Sequence, residues 1–281
     1  MFHAHAKINI GLYVVERRPD GFHNIETVFH RIAVADALRL EPAAAIRVTS
    51  SSPEAPSDQT NICYKAAAVL QTHLGMTQGV HIHIEKHVPV GAGLGGGSAD
   101  AACVLRELPR LWKGAVPEAM LRTMALKLGS DVPYFLSPGS AVAAGRGELL
   151  TYFDLDVPYS ILLCNPGIHV ATGWAYGQIT PGTADKPADL VAVVREGMRD
   201  PAVLRERLRN DFEPVVFKAH PEVRAIKEQM LAAGAVFAMM SGSGSTVYGF
   251  FRDEPTAHRC AAPFAAAGYR TFVTPPHFTG A

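Results

Sequence analysis

A glycine-rich segment in the first half of the chain has the composition of a phosphate-binding loop. The stretch PVGAGLGGGSADAACVL, residues 89–105, holds five glycines within seven positions and then continues as an apolar helical pattern that Ser98 is expected to cap. Glycine lets a ligand approach the backbone closely, and a helix N-terminus attracts anions. No lysine follows the last glycine, as a P-loop requires, and the dinucleotide fingerprint fits only loosely. A phosphate cradle, a flexible lid and a tight structural turn therefore remain open.

A phosphate loop without its own lysine needs a cation from another element. From Phe2 onward apolar and polar residues alternate, so Lys7 and Asn9 share the polar face of a predicted strand. Lys7 is the candidate cation, although a single strand lysine is usually only solvated. Asp131, in KLGSDVPYFL, follows a glycine inside an apolar sequence. It either caps a turn or acts as a base or orienting group for a hydroxyl.

Two other groups of residues have binding chemistry. The turn in RRPDGFHNIET presents Phe22 and His23, and an exposed aromatic ring at a turn suggests a stacking surface. Four residues on one face of a second strand could bind a metal, but nothing in the sequence completes a ligand set, so we interpret them as a solvated polar face and assign no metal ligand. They are His81, His83, Glu85 and His87.

The elements that must position these residues alternate along the chain. A strand near residues 80–84 runs into the glycine loop, and helices are predicted at residues 61–73, 118–128 and 221–233. Strands are expected at YSILLC and on both sides of the loop at residues 241–245. This pattern predicts an α+β architecture with a domain over residues 1–155, a second over residues 156–281, and a cleft between them.

Composition excludes several classes of function. The 281 residues carry a formal net charge of zero, which disfavours nucleic acid and anionic membranes as partners. No apolar run is long enough to span a bilayer, and the N-terminus has no secretion signal, so we expect a cytoplasmic protein. The four cysteines lie far apart and are expected to be free thiols. The oligomeric state does not follow from the sequence.

Together, three motifs resemble the signatures of the GHMP small-molecule kinases, in the same chain order. They are AKINIGL, PVGAGLGGGSADA and MSGSGSTVYGFF. More narrowly, the segments containing RRPDGFHNIET, KLGSDVPYFL and RNDFEPVVF resemble the members that phosphorylate a methylerythritol alcohol carried on a cytidine diphosphate group, in the non-mevalonate route to isoprenoid precursors. The resemblance covers nearly the whole chain.

This resemblance implies a two-domain GHMP kinase fold with an N-terminal nucleotide-binding domain, a C-terminal substrate-binding domain and the active site in the cleft between them. Lys7 and Asp131 match the catalytic pair. Mg²⁺ would bridge the phosphate oxygens of ATP with few direct protein ligands. The residues that would bind ATP are Pro89, Val90, Gly91, Ala92, Gly93, Leu94, Gly95, Gly96, Gly97, Ser98 and Ala99.

The resemblance also implies a small-molecule substrate that carries cytidine diphosphate. Phe22 and His23 would hold the cytosine ring, with Phe22 at a position where the family often has tyrosine, and Tyr176 would close the other face. Asn9 and Thr172 would also contact the substrate. Two alternatives stay open, which are a related GHMP kinase acting on homoserine, mevalonate or a sugar, and a ligand sensor that has lost catalysis.

Overall fold

The computed structural model describes residues 1–182 and 186–280, and its elements alternate as the sequence predicts. The strands are β1 (Phe2–Arg17), β2 (His23–Ala43), β3 (Arg47–Ser50), β4 (Gly79–Glu85), β5 (Ser140–Ala144), β6 (Leu149–Phe153), β7 (Ser160–Asn165), β8 (Phe237–Met240), β9 (Val247–Phe251) and β10 (Arg270–Thr274). The helices are α1 (Ile62–Leu74), α2 (Gly96–Leu111), α3 (Glu118–Leu128), α4 (Thr172–Gly177), α5 (Leu190–Arg199), α6 (Pro201–Arg207), α7 (Glu213–Ala219), α8 (Pro221–Ala232) and α9 (Glu254–Ala266), with a short 3₁₀ helix at Val132–Leu136.

The chain divides into two compact units, each made of several segments. Unit 1 contains Met1–Ala6, Ala35–Val90 and Gly95–Pro138, and unit 2 contains Lys7–Val34, Gly91–Leu94 and the chain from Gly139 onward. The long strands β1 and β2 therefore contribute residues to both units. The assignment of nucleotide binding to residues 1–155 and substrate binding to residues 156–281 stays a prediction.

Unit 1 is built around β4, which pairs antiparallel with the end of β2 and parallel with β3. Helices α1, α2 and α3 pack against one another. The boundaries of α1 follow from its sequence, because the Asn61 side chain accepts a hydrogen bond from the Cys63 amide at 2.8 Å and Gly75 ends the helix with φ of 62°. The predictions for this helix, for α3 and for β4 are confirmed.

Unit 2 contains an antiparallel sheet in the order β10-β7-β9-β8. Its apolar core joins this sheet to α7, α8 and α9, and includes Leu162, Phe251, Met230 and Phe264. In the same unit β2 pairs with β5, and β5 with β6. The predicted strands on both sides of residues 241–245 are confirmed as the β8–β9 pair, and the helix predicted over residues 221–233 ends at Ala232.

The start of α2 differs from the sequence prediction. Ser98 does not cap this helix, because the helix already begins at Gly96 and Ser98 lies in its first turn. The cap position is Gly95, whose φ of 69° is left-handed, and within the described residues no side chain caps the helix. The backbone N–H groups of the first turn have no acceptor inside a helix. The cap moves from Ser98 to Gly95, so α2 starts three residues earlier than predicted, and the amides of Gly96 and Gly97 join its N-terminal end.

Two other expectations concern the cysteines and the membrane. All four cysteines are buried free thiols, as predicted. Among the described residues, none of the helices has the length and apolar character needed to cross a membrane.

Candidate active site

The glycine-rich loop alternates left-handed glycines with buried apolar residues. Gly91, Gly93 and Gly95 have φ values of 65°, 78° and 69°, which other residues adopt only with strain. Ala92 and Leu94 are buried between them. The backbone conformation therefore requires glycine at every second residue of this loop, and another residue type at any of these three positions would introduce strain.

Gly93 also leaves space for a second loop of unit 2. A Cβ atom on Gly93 would lie 2.1 Å from the carbonyl oxygen of Ser241, and the Ser241 hydroxyl donates to the Gly93 carbonyl at 2.9 Å. The Ser241–Ser245 loop between β8 and β9 therefore packs directly on the glycine loop.

Lys7 reaches the glycine loop from β1. Its Nζ atom donates to the Gly93 carbonyl at 3.1 Å and to Asn9 Oδ1 at 2.6 Å, and it lies 5.0 Å from the centre of the Phe29 ring. The residue is only 4% exposed. A buried ammonium is costly unless it is partnered, so this lysine is not the solvated strand residue of the alternative interpretation. The prediction that Lys7 and Asn9 share a face is confirmed.

Asn9 is fixed by partners on three elements. Its amide nitrogen Nδ2 donates to Thr27 Oγ1 at 3.0 Å, and its backbone N–H donates to Ser241 Oγ at 3.2 Å. The hydroxyl of Tyr248 donates to the Asn9 carbonyl at 2.9 Å. Burial raises the pKa of Tyr248 well above its usual value, which keeps this phenol protonated as a donor. Thr27 and Tyr248 belong to no sequence motif, and only their alternation within strands could have indicated them.

Asp131 lies in unit 1, immediately before the 3₁₀ helix Val132–Leu136. It is half-buried, while the next four residues of the chain are buried. Asp131 occupies the cap position of this short helix without a side-chain capping hydrogen bond, and its roles as a turn residue or as a base or orienting group both stay open. Lys7 belongs to unit 2, and the pairing of the two residues stays a prediction.

The predicted cytosine-binding residues lie around the turn between β1 and β2. Phe22 is 52% exposed, as the exposed-turn prediction requires, and its ring lies 4.8 Å from the guanidinium carbon of Arg146. His23 stacks on Tyr176 of α4, with ring centroids 4.8 Å apart and an interplanar angle of 14°. Burial, with a smaller effect of the positive charge of Arg17, lowers the pKa of His23, which favours the neutral ring. No motif in the sequence indicates Arg146 as a neighbour of Phe22.

Tyr176 has a second aromatic neighbour. The Phe212 ring meets it edge-on at 4.9 Å and 85°, which fixes the plane of the tyrosine. Thr172 lies one helical turn earlier on α4, where its hydroxyl is 3.0 Å from that of Ser243 in the β8–β9 loop. The structure thus groups Tyr176 with His23, and Thr172 with the second loop.

Lys86, in the segment that leads into the glycine loop, forms an unpredicted ion cluster with Asp36 of β2 and Asp100 of α2. Lys86 Nζ donates to carboxylate oxygens of Asp36 and Asp100, and all three side chains are buried. The nearby His81 and His83 rings both lie 2.9 Å from the Thr49 hydroxyl, so one nitrogen of each ring is within hydrogen-bonding distance of a neighbour.

Comparison with known proteins identifies the family. Residues 61–139 match the family model "GHMP kinases N terminal domain", and residues 190–270 match "GHMP kinases C terminal". A curated relative from Prosthecochloris aestuarii, named 4-diphosphocytidyl-2-C-methyl-D-erythritol kinase, is 44% identical over 278 residues, which cover 98% of this chain and 96% of the relative. The chain belongs to the GHMP kinase family. This GHMP kinase therefore has an α+β fold of two GHMP domains and uses ATP as its cosubstrate.

Solved structures agree with this membership. A crystal structure of 4-(cytidine 5'-diphospho)-2C-methyl-D-erythritol kinase has a TM-score of 0.82 and 34% identity, and the match covers 97% of each chain. A homoserine kinase from Cytophaga hutchinsonii has a TM-score of 0.69 and 20% identity, covering 98% of this GHMP kinase and 95% of that chain. The second likeness shows the shared fold alone.

Proposed function

We propose that this GHMP kinase transfers the γ-phosphoryl group of ATP to the 2-hydroxyl of 4-diphosphocytidyl-2-C-methyl-D-erythritol. The observation that carries the proposal is the 44% identity, over nearly the full length of both chains, to a relative with that name. The substrate carries a cytidine diphosphate group, and its phosphorylation is a step toward isoprenoid precursors. A cytoplasmic location stays a prediction.

The ATP phosphates would bind at the start of α2 and along the loop before it. Gly96, Gly97 and Ser98 form the first turn of the helix, and Gly97 is exposed. Their N–H groups and the positive end of the helix dipole favour a polyphosphate there. The ammonium of Lys7, bonded to the Gly93 carbonyl, supplies the cation that the loop lacks.

Lys7 and Asp131 would carry out the chemistry. Asp131 orients the 2-hydroxyl and accepts its proton as the bond to phosphorus forms. Lys7 stabilises negative charge on the transferring phosphoryl group. In phosphoryl transfer the protein contributes mainly position and charge, and the hydrogen bonds of Lys7 to Asn9 and Gly93 hold its ammonium in one place.

Magnesium fits the residues that this region offers. Mg²⁺ usually binds through one or two protein oxygens together with substrate phosphates, rather than in an all-protein cage. The half-buried Ser98 hydroxyl in the first turn of α2 is such an oxygen, whereas Asp100 already accepts a hydrogen bond from Lys86. When bound, the ion would neutralise charge on the phosphate oxygens.

The cytosine ring would be recognised near Phe22, His23 and Tyr176. Phe22 offers an exposed aromatic face, and His23 offers hydrogen-bonding groups that separate cytosine from uracil. Asn9 and Thr172 would contact the rest of the substrate.

A direct assay of the product tests this proposal. The purified chain is incubated with Mg²⁺, ATP and the cytidyl substrate, and mass spectrometry should detect the gain of one phosphate group on that substrate. Homoserine, mevalonate and a sugar serve as parallel acceptors. Turnover of only one of these would identify a related GHMP kinase instead, and no turnover of any acceptor would favour a ligand sensor.

A further inference from the structure

The ion cluster of unit 1 contains one lysine and two aspartates in a buried position. The side chains of Asp36, Lys86 and Asp100 are 0%, 6% and 4% exposed. Lys86 Nζ lies 3.0 Å from Asp100 Oδ2 and also contacts Asp36 Oδ2. Breaking a buried pair by removing one partner is strongly destabilising, because a charge is left uncompensated. The three side chains therefore act as one unit.

The cluster holds both ends of the glycine-rich loop. At the entry, Asp36 Oδ1 accepts the backbone N–H groups of His87 and Val88 at 2.7 and 2.9 Å. At the exit, Asp100 lies on the second turn of α2, one turn after Gly96. A Cβ atom on Gly96 would lie 2.8 Å from the Val88 side chain, so the two ends of the loop are in direct contact. Lys86 links the carboxylate that fixes the entry to the carboxylate that fixes the exit.

The net charge of this cluster affects how well the nearby loop can bind phosphate groups, which are negatively charged. Burial raises the pKa of Asp100 to about 8 although Lys86 opposes this shift, and the negative charge of Asp36 raises it further. Burial also raises the pKa of the Cys63 and Cys103 thiols, and the charge of Asp100 raises both of them further. Asp100 Oδ1 has no hydrogen-bond partner among the described residues. The raised pKa favours the protonated form of Asp100, and in that form the Lys86 ammonium and the Asp36 carboxylate balance, so the cluster adds no net negative charge beside the first turns of α2.

We propose that Lys86, Asp36 and Asp100 are positioning residues that hold the two ends of the glycine-rich loop in the geometry that binds the phosphates of ATP. The proposal rests on the function proposed above for this loop. The cluster acts through the backbone of His87, Val88 and α2, so its loss affects nucleotide binding before it affects the alcohol substrate.

Two readouts of the variant Lys86→Met test this proposal. Calorimetry with a non-hydrolysable ATP analogue should show a dissociation constant raised at least about tenfold, which corresponds to ~1.4 kcal/mol. Hydrogen exchange should accelerate at the amides of His87 and Val88 and stay unchanged in α1, because the opening is local. In steady-state assays the KM for ATP should rise while the KM for the alcohol changes less than about twofold.

The matched control is Arg106→Met, which removes one cation from the buried carboxylate of Glu107 farther along the same helix. It should lower stability without changing the affinity for the analogue. If Lys86→Met does not fold, Asp100→Leu provides the test, because it leaves Lys86 with Asp36 and releases only the helix end. Asp100→Asn should recover most of the affinity lost in Asp100→Leu, since the amide has the shape of the neutral acid.

Wild-type affinity in a folded Lys86→Met or Asp100→Leu protein would overturn the proposal, and so would an equal loss in Arg106→Met. Analogue binding is measured without the alcohol. A chain that phosphorylates a different acceptor would therefore contradict the proposed substrate but leave this result intact.

Discussion

Replacing Gly93 by alanine tests whether the packing of the glycine loop on the second loop controls nucleotide binding. The left-handed φ of 78° at this position costs alanine ~1–2 kcal/mol. The new Cβ atom would also lie 2.1 Å from the Ser241 carbonyl oxygen, a backbone atom that cannot rotate away. The loop must therefore shift, and the hydrogen bonds that the Gly93 carbonyl accepts from Lys7 and Ser241 weaken or break.

A second glycine of unit 2 provides the control for backbone strain. Gly268, after α9, has φ of 85°, and a Cβ atom there meets nothing within 4 Å. Both substitutions reduce the conformational entropy of the unfolded chain equally, by ~0.4–1 kcal/mol. We expect Gly268→Ala to lower the free energy of unfolding by about 1 kcal/mol and Gly93→Ala by about 3 kcal/mol or more, since a hydrogen bond from a charged group contributes ~1.5–3 kcal/mol.

Denaturant unfolding and calorimetry with an ATP analogue measure the two effects. Gly93→Ala should bind the analogue at least about tenfold more weakly than wild type, a loss of ~1.4 kcal/mol, whereas Gly268→Ala should bind it normally. If the two variants are equally stable and bind the analogue equally well, the close approach of the two loops has no energetic role and the reasoning is refuted.

Three other predictions concern catalysis, the pH dependence of stability and recognition of the cytosine base. Lys7→Ala and Asp131→Asn should each lower kcat about a hundredfold or more, while the affinity for ATP changes much less. Steady-state kinetics would measure kcat and calorimetry the affinity for ATP. Normal turnover in either folded variant would remove that residue from the mechanism. Burial lowers the pKa of His30 from 6.5 to about 4, so between these pH values the unfolded chain binds a proton that the folded chain does not. Stability should therefore fall by about 3 kcal/mol as the pH drops from 6.5 to 4, and unfolding curves of His30→Gln should lack this slope. Tyr176→Ala should raise the KM for cytidyl and uridyl substrates alike, whereas His23→Ala should reduce the preference for cytidine.

Local patterns were enough to predict many elements of this fold. The ends of α1 carry their own signals in Asn61 and Gly75, and the alternation after Phe2 gave β1 with Lys7 and Asn9 on one face. These features depend on residues near each other in the chain, so sequence reasoning could reach them.

Long-range contacts and burial could not be predicted in the same way. Both faces of β1 are buried in its middle, so Lys7 is a partnered internal ammonium and not a surface residue. Lys86 follows directly after β4, whose last residue is exposed. No periodic pattern in the sequence predicts that Lys86 contacts Asp36, which lies fifty residues earlier in the chain. The predicted cap of α2 was wrong because serine is a favoured cap residue, which pointed to Ser98. The left-handed conformation of Gly95 lets the helix begin earlier, at Gly96.

The direct stack of His23 on Tyr176 determines how base recognition must be measured. At a centroid separation of 4.8 Å the two rings are in contact, so a base can lie between them only after they separate. Separating the two rings costs ~0.5–1.5 kcal/mol. The variant His23→Ala removes this cost, which lowers the KM for the cytidyl substrate, and it also removes any hydrogen bond from His23 to the base, which raises this KM. The KM for the cytidyl substrate alone therefore combines two opposite effects. Both pyrimidine substrates require the same separation, and the cost cancels in the ratio of their kcat/KM values. An unchanged ratio in His23→Ala would therefore show that another group, such as the backbone, reads the base.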